Sequence, residues 1–113
     1  MNNKIKKTLL KIISLLVNCD YDAIAKLTKG VRLQAMHIKD AVEEYEKTLI
    51  LPPDTAYDNL DIIEIENSVP RKWSIRFDLW TKEEGRSDLS IELTLIDSEE
   101  DLMIVELDNI HTL

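Results

Sequence analysis

Proton transfer or nucleophilic attack calls for an imidazole, a thiol or an activated carboxylate. This chain of 113 residues offers His37, His111, Cys19 and 22 acidic side chains for that work. His37, Asp40 and Glu44 fall on one face of a predicted helix, so a metal site is conceivable there, but the spacing is not that of the zinc-protease helix motif. A solvated helix face is the plainer reading. His111 follows Asp108 by three residues, and in an unbroken strand those two side chains point to opposite faces. Cys19 stands alone, which excludes an internal disulfide and predicts a small, buried, inert thiol. The run Asp97, Glu99, Glu100 and Asp101 imitates a calcium loop but lacks its glycine and its twelve-residue spacing, and it reads as a charged hairpin tip. There is no phosphate-cradling glycine loop, no paired CxxC and no serine elbow. The expectation is a non-enzymatic protein without a metal or cofactor.

Binding chemistry is better represented. Arg76, Asp78 and Trp80 alternate along one predicted strand and can neighbour Ser90, Glu92 and Thr94 on the next, with Glu106 and Asp108 on a fourth. A tryptophan among charged residues either covers an edge of the core or anchors a partner. The hairpin between these strands adds Glu83, Glu84, Arg86 and Asp88, with Gly85 supplying a positive φ. Without Ser90 and Thr94, the ten charged and aromatic side chains among these, Arg76 through Asp108, form the candidate partner-binding set.

The elements that position them follow from periodicity. Ile5, Leu9, Ile12 and Leu16 are spaced as one face of a helix, with Lys7, Lys11, Ser14 and Asn18 opposite. Basic residues, an apolar stretch and then Cys19 also resemble a lipoprotein signal. Lys11 interrupts that stretch, however, and Asn18 replaces the expected small residue, so the amphipathic helix is preferred. Asp20 or Asp22 caps a short second helix carrying Tyr21, Ile24 and Leu27 and ending at Gly30. Ile38, Val42, Tyr45 and Leu49 predict a third helix that must stop before Pro52 and Pro53, with Asp54 to Asn59 as loop.

From Leu60 the period becomes two. Strands are predicted at Leu60–Glu66, at Trp73–Trp80 with Trp73, Ile75, Phe77 and Leu79 inward, at Leu89–Ile96, and from Met103 through Val105 and Leu107. The connections are short enough for antiparallel hairpins. The result is one α+β domain over residues 1–113, with a helical part of about 3–48 and a sheet of about 60–110. Three helices pack on one face of a four-stranded antiparallel meander.

Charge narrows the partners. The chain carries a formal charge of -8, unfavourable for binding phosphate backbones, so nucleic acid is not expected. Residues 1 to 50 hold nine basic and six acidic side chains, whereas residues 51 to 113 hold five and sixteen. No run reaches the roughly 20 apolar residues that span a bilayer. The expectation is a cytoplasmic protein with no membrane contact.

The segment Trp73-Ser74-Ile75-Arg76-Phe77-Asp78-Leu79-Trp80-Thr81, continuing into Glu84-Gly85-Arg86-Ser87-Asp88-Leu89-Ser90, resembles a small bacterial α+β domain family of unknown function. The resemblance is specific over Trp73 to Leu95 and vague over the helices. It implies a stand-alone bacterial α+β protein with a cystatin-like or nuclear-transport-factor-like arrangement of helix against curved sheet, and it transfers no catalytic residue. In size, acidity and layout the chain is also similar, by class rather than by motif, to immunity proteins that neutralise contact-delivered bacterial toxins. Nuclease toxins carry basic clefts that an acidic partner can occupy. The leading expectation is therefore an inhibitor of a basic toxin domain. The rival is a ligand-binding or enzymatic cone with a pocket lined by Trp73, Phe77, Tyr45 and His37 between helices and sheet. A homodimer through the uncovered sheet face is a third reading.

Overall fold

The computed structural model describes residues 2–29, 33–58 and 60–112. Among them three helices, α1 (Asn2–Val17), α2 (Tyr21–Leu27) and α3 (Ala35–Glu44), precede the strands β1 (Leu49–Ile50), β2 (Asp61–Ile65), β3 (Lys72–Thr81), β4 (Gly85–Ile96) and β5 (Ile104–Thr112). A 3-10 turn spans Asp54–Tyr57, where a plain loop is predicted. Gly30 and Asn59, named above as a helix end and a loop end, lie outside the described residues. The α+β order of helices and then an antiparallel meander is as expected, with one strand more than predicted.

The apolar stripe of α1 enters the core as its spacing requires: Ile5, Leu9, Ile12 and Leu16 are fully buried, joined by Ile13. Thr8 is buried with them. Its Oγ1 donates to the Lys4 carbonyl at 2.8 Å and accepts the Met103 N–H at 3.0 Å. Lys4 reaches Asp97 at 3.4 Å and donates to the Ser98 carbonyl, so the start of the first helix is fastened to the loop before the last strand.

Each helix ends on a non-glycine residue in the left-handed region: Cys19 (φ 57), Lys29 (φ 57) and Glu46 (φ 58). After α1 the Cys19 N–H bonds Leu16 O at 3.0 Å and the Asp20 N–H bonds Leu15 O at 2.9 Å, a Schellman pair that turns the chain outward. This overturns the expected burial of Cys19, which is exposed because it occupies the terminating position and not the apolar stripe. Asp20 then caps α2, its Oδ1 accepting the Ala23 N–H at 3.3 Å. Helix α3 stops five residues short of Leu49, which the helical stripe had claimed. Glu46 breaks the helix, and Leu49 is buried from β1 instead.

Strands β2 to β5 pair antiparallel in sequence order, while β1 pairs with β3 on the same edge that receives β2. β1 takes one end (Leu49↔Thr81, Ile50↔Trp80) and β2 the other (Asp61↔Arg76 to Ile65↔Lys72). Between them the edge is broken, because Pro52 and Pro53 cannot continue a ladder and the 3-10 turn carries the chain around the gap. The inner sheet face is apolar and closed: Trp73, Ile75, Phe77, Leu79, Leu89, Ile91, Leu93, Leu95, Val105, Leu107 and Ile110 are all buried. Tyr57 from the 3-10 turn stacks on Phe77, with ring centroids 5.3 Å apart.

Candidate functional site

The opposite, outer sheet face holds the central part of the candidate set. Register places its side chains in rows across β2, β3, β4 and β5: Ile65–Lys72–Ile96–Ile104, then Ile63–Ser74–Thr94–Glu106, then Asp61–Arg76–Glu92–Asn109. Asp78, Ser90 and His111 form the next row, beyond the end of β2, followed by Ile50, Trp80 and Arg86. Arg76, Asp78, Trp80, Arg86, Glu92, Glu106 and Asp108 are thus brought onto one surface.

A β-bulge completes that surface. Between the pairs Glu92↔Asn109 and Leu93↔Leu107, β5 has one residue more than β4. The extra residue, Asp108, breaks the alternation, so that Leu107 and Ile110 both point inward although three residues apart. The Thr94 hydroxyl donates to Asp108 Oδ2 at 2.7 Å, and His111 stands opposite Ser90. The expectation that Asp108 and His111 face opposite ways is therefore overturned by the bulge. The spacing of three between Leu107 and Ile110 was the signal for it.

Two of the carboxylates here, Asp78 and Asp108, are held by hydroxyls, and others face basic side chains. Ser90, fully buried, donates from Oγ to Asp78 Oδ1 at 2.6 Å. Arg86 Nε lies 3.8 Å from Asp78 Oδ2, Arg76 Nε lies 3.4 Å from Asp61 Oδ2, and His111 Nε2 lies 2.6 Å from Glu92 Oε2. Asp61, Asp78, Glu92, Glu106 and Asp108 outnumber Lys72, Arg76 and Arg86. Serine, histidine and glutamate are adjacent in this cluster, yet Ser90 is inaccessible and its hydroxyl is committed to Asp78, so the arrangement presents no nucleophile.

Beside the charges runs an apolar strip that the sequence reading missed: Ile63, Ile65 and Ile104 are 65%, 39% and 47% exposed on this face. Trp80 is half-buried at the far end. Where the edge is broken between β1 and β2, a notch of about 340 Å³ opens against Trp80, Asp78 and Asp61.

Glu83, Glu84 and Asp88 serve elsewhere. Glu83 accepts the Thr48 N–H at 2.8 Å and its hydroxyl at 3.0 Å, and the backbone bond holds its carboxyl below the usual range. Glu84 accepts the Tyr45 hydroxyl at 2.9 Å, and the Asp88 N–H reaches the same hydroxyl at 3.3 Å. Burial first and Glu84 second push the Tyr45 phenol up. Together they brace the β3–β4 hairpin against the end of α3.

The residues of the rival pocket do not line one cavity. Trp73 and Phe77 are core, Tyr45 braces the hairpin, and His37 is exposed with Nδ1 accepting the Gln34 N–H at 3.4 Å in a capping box. A groove of about 920 Å³ instead lies among α1, α2, α3 and β1, lined by Leu16, Tyr21, Val42 and Leu49 among others. Burial, then the Cys19 thiol, raises the Tyr21 phenol to about 12. Among the described residues no three of His, Cys, Asp and Glu converge on a metal position, and no helix is long and apolar enough to cross a membrane.

No curated protein and no solved structure matches the chain. A family model, described as a domain of unknown function (DUF7668), matches residues 13–113, well beyond the Trp73–Leu95 segment and across most of the helical half. The chain belongs to that family.

Proposed function

We propose that this protein is a non-enzymatic, cytoplasmic inhibitor of the immunity type, which uses its outer sheet face to bind and neutralise a basic toxin domain such as a nuclease. The observation that carries the reading is the composition of that face. It combines exposed isoleucines, a half-buried tryptophan and carboxylates held in place by buried or half-buried hydroxyls. Exposed apolar side chains grouped on one surface mark association sites. Fixed negative charge beside them selects a basic partner and speeds its encounter. The chemistry of the face supports binding better than catalysis, since Ser90, the serine beside His111 and Glu92, is sealed.

Co-expression with the basic domain encoded by an adjacent reading frame tests this. The two proteins should copurify and the toxin should be silenced, while charge reversal at Asp78, Glu92 and Glu106 should release the complex. Unchanged binding after reversal overturns the proposed surface. A second reading rests on the 920 Å³ groove among the helices, whose size suits a small ligand. In that case Val42→Trp, which fills the groove, should abolish function with the sheet face intact.

A further inference from the structure

The notch at the broken sheet edge is more specific than the face around it. Its volume of about 340 Å³ is at the low end for a ligand cavity, room for one long side chain and not for a helix. Ala56, Leu60 and Phe77 line it with apolar surface, Trp80 offers an aromatic ring, and Asp61 and Asp78 contribute carboxylates. Arg76 and Arg86 stand at the same notch, so its preference for a cation or an anion turns on which charges are anchored.

Asp61 and Arg76 take up each other, Arg76 Nε donating to Asp61 Oδ2 at 3.4 Å, so the balance turns on Asp78 and Arg86, of which Asp78 is the better anchored. Asp78 is 34% exposed and is held through Oδ1 by the buried Ser90 hydroxyl at 2.6 Å. Arg86 is 72% exposed, and its Nε stops 3.8 Å from Asp78 Oδ2, beyond hydrogen-bond reach. Exchanging a contact of that kind costs little, because exposed pairs contribute at most about 1 kcal/mol. An incoming guanidinium can therefore take the Oδ2 position. Its methylene stem would lie on Ala56 and Leu60 as long cationic side chains do on apolar surface. Its planar head would face the Trp80 ring.

We infer that this notch is a socket for a single arginine side chain of the partner protein, with Asp78 as its counter-charge, Trp80 as its stacking wall and Arg86 as a resident competitor that the arginine displaces. The inference rests on the proposed binding of a basic partner and adds the contact through which that partner is held.

The probe is N-acetyl-arginine amide, titrated into the ¹⁵N-labelled full chain, with N-acetyl-citrulline amide and N-acetyl-glutamate amide as neutral and anionic controls. Saturable shifts at the Trp80 indole and at the Asp78, Ser90 and Arg86 amides are expected with the arginine probe alone. Arg86→Gln should tighten binding by up to about fivefold by removing the competitor, and Asp78→Asn should weaken it by about tenfold or more. Stronger shifts with the glutamate probe, weaker arginine binding in Arg86→Gln, or unchanged binding in Asp78→Asn would each overturn the socket. Arg86→Gln changes an exposed side chain and keeps the test decisive if Asp78→Asn fails to fold. A partner captured through the sheet face without saturable arginine binding removes the socket and leaves the face. Saturable arginine binding with no basic partner captured leaves the socket and removes the inhibitor reading.

Discussion

The hydroxyl of Thr8 is the most economical place to test how the two layers are joined. It is fully buried on α1, and it accepts the N–H of Met103, 95 residues away, at 3.0 Å. Thr8→Val keeps the shape and adds apolar surface, so a purely hydrophobic account predicts no loss or a small gain. The hydrogen bond predicts the opposite. Valine leaves a buried N–H without a partner, which costs about 1–3 kcal/mol. Thr8→Ser keeps the acceptor and gives up one methyl group, about 0.8 kcal/mol by transfer alone. Urea unfolding followed by Trp fluorescence should rank the proteins wild type, then Thr8→Ser, then Thr8→Val, with the slope unchanged. Thr8→Val equal to or more stable than Thr8→Ser would refute the tie between the helix start and the loop before β5.

Three further outcomes follow from individual residues. Glu46 is exposed at φ 58, so Glu46→Gly should raise the unfolding free energy by about 0.5–1 kcal/mol in the same assay, since relief of left-handed strain outweighs glycine's added freedom in the unfolded chain. The folded-state carboxyl of Glu83 titrates below its unfolded value, so its bonds to Thr48 stabilise the fold above about pH 4.3 and are lost as pH falls through the depressed folded value. Urea midpoints measured from pH 5 down to pH 3 should therefore drop less steeply in Glu83→Gln than in the wild type. Leu93 is fully buried at the centre of the inner face, and Leu93→Ala should cost about 2–5 kcal/mol by calorimetry or urea unfolding.

The helical stripe of α1 and the alternation of β3 and β4 were legible because burial on one side imposes a period, and the residues read as inward are the buried ones. What escaped reading were departures from period. Leu49 sits four residues after Tyr45, a spacing that continues a helix equally well, and only the backbone reversal at Glu46 assigns it to β1. Asp108 adds one residue to β5 and so moves His111 to the other face, an effect that propagates along the strand from a single bulge. Cys19 was assigned by residue type, whereas its place as the helix terminator decided its exposure. For the site, the charged positions on β3, β4 and β5 were visible from alternation. Ile63, Ile65 and Ile104 were not, because an exposed isoleucine looks like a core residue until pairing fixes its face. The notch was hidden for a similar reason: Pro52 and Pro53 announce a break but not that two strands share one edge.

The central claim is that the outer sheet face meets the partner. Cross-saturation transfer from the protonated basic domain to this chain, perdeuterated except at methyl and indole groups, reads that contact directly. The account predicts saturation at the methyl groups of Ile63, Ile65 and Ile104 and at the Trp80 indole. Saturation confined to Met36, Val42 and Leu49 around the helical groove, with the sheet isoleucines silent, would contradict it.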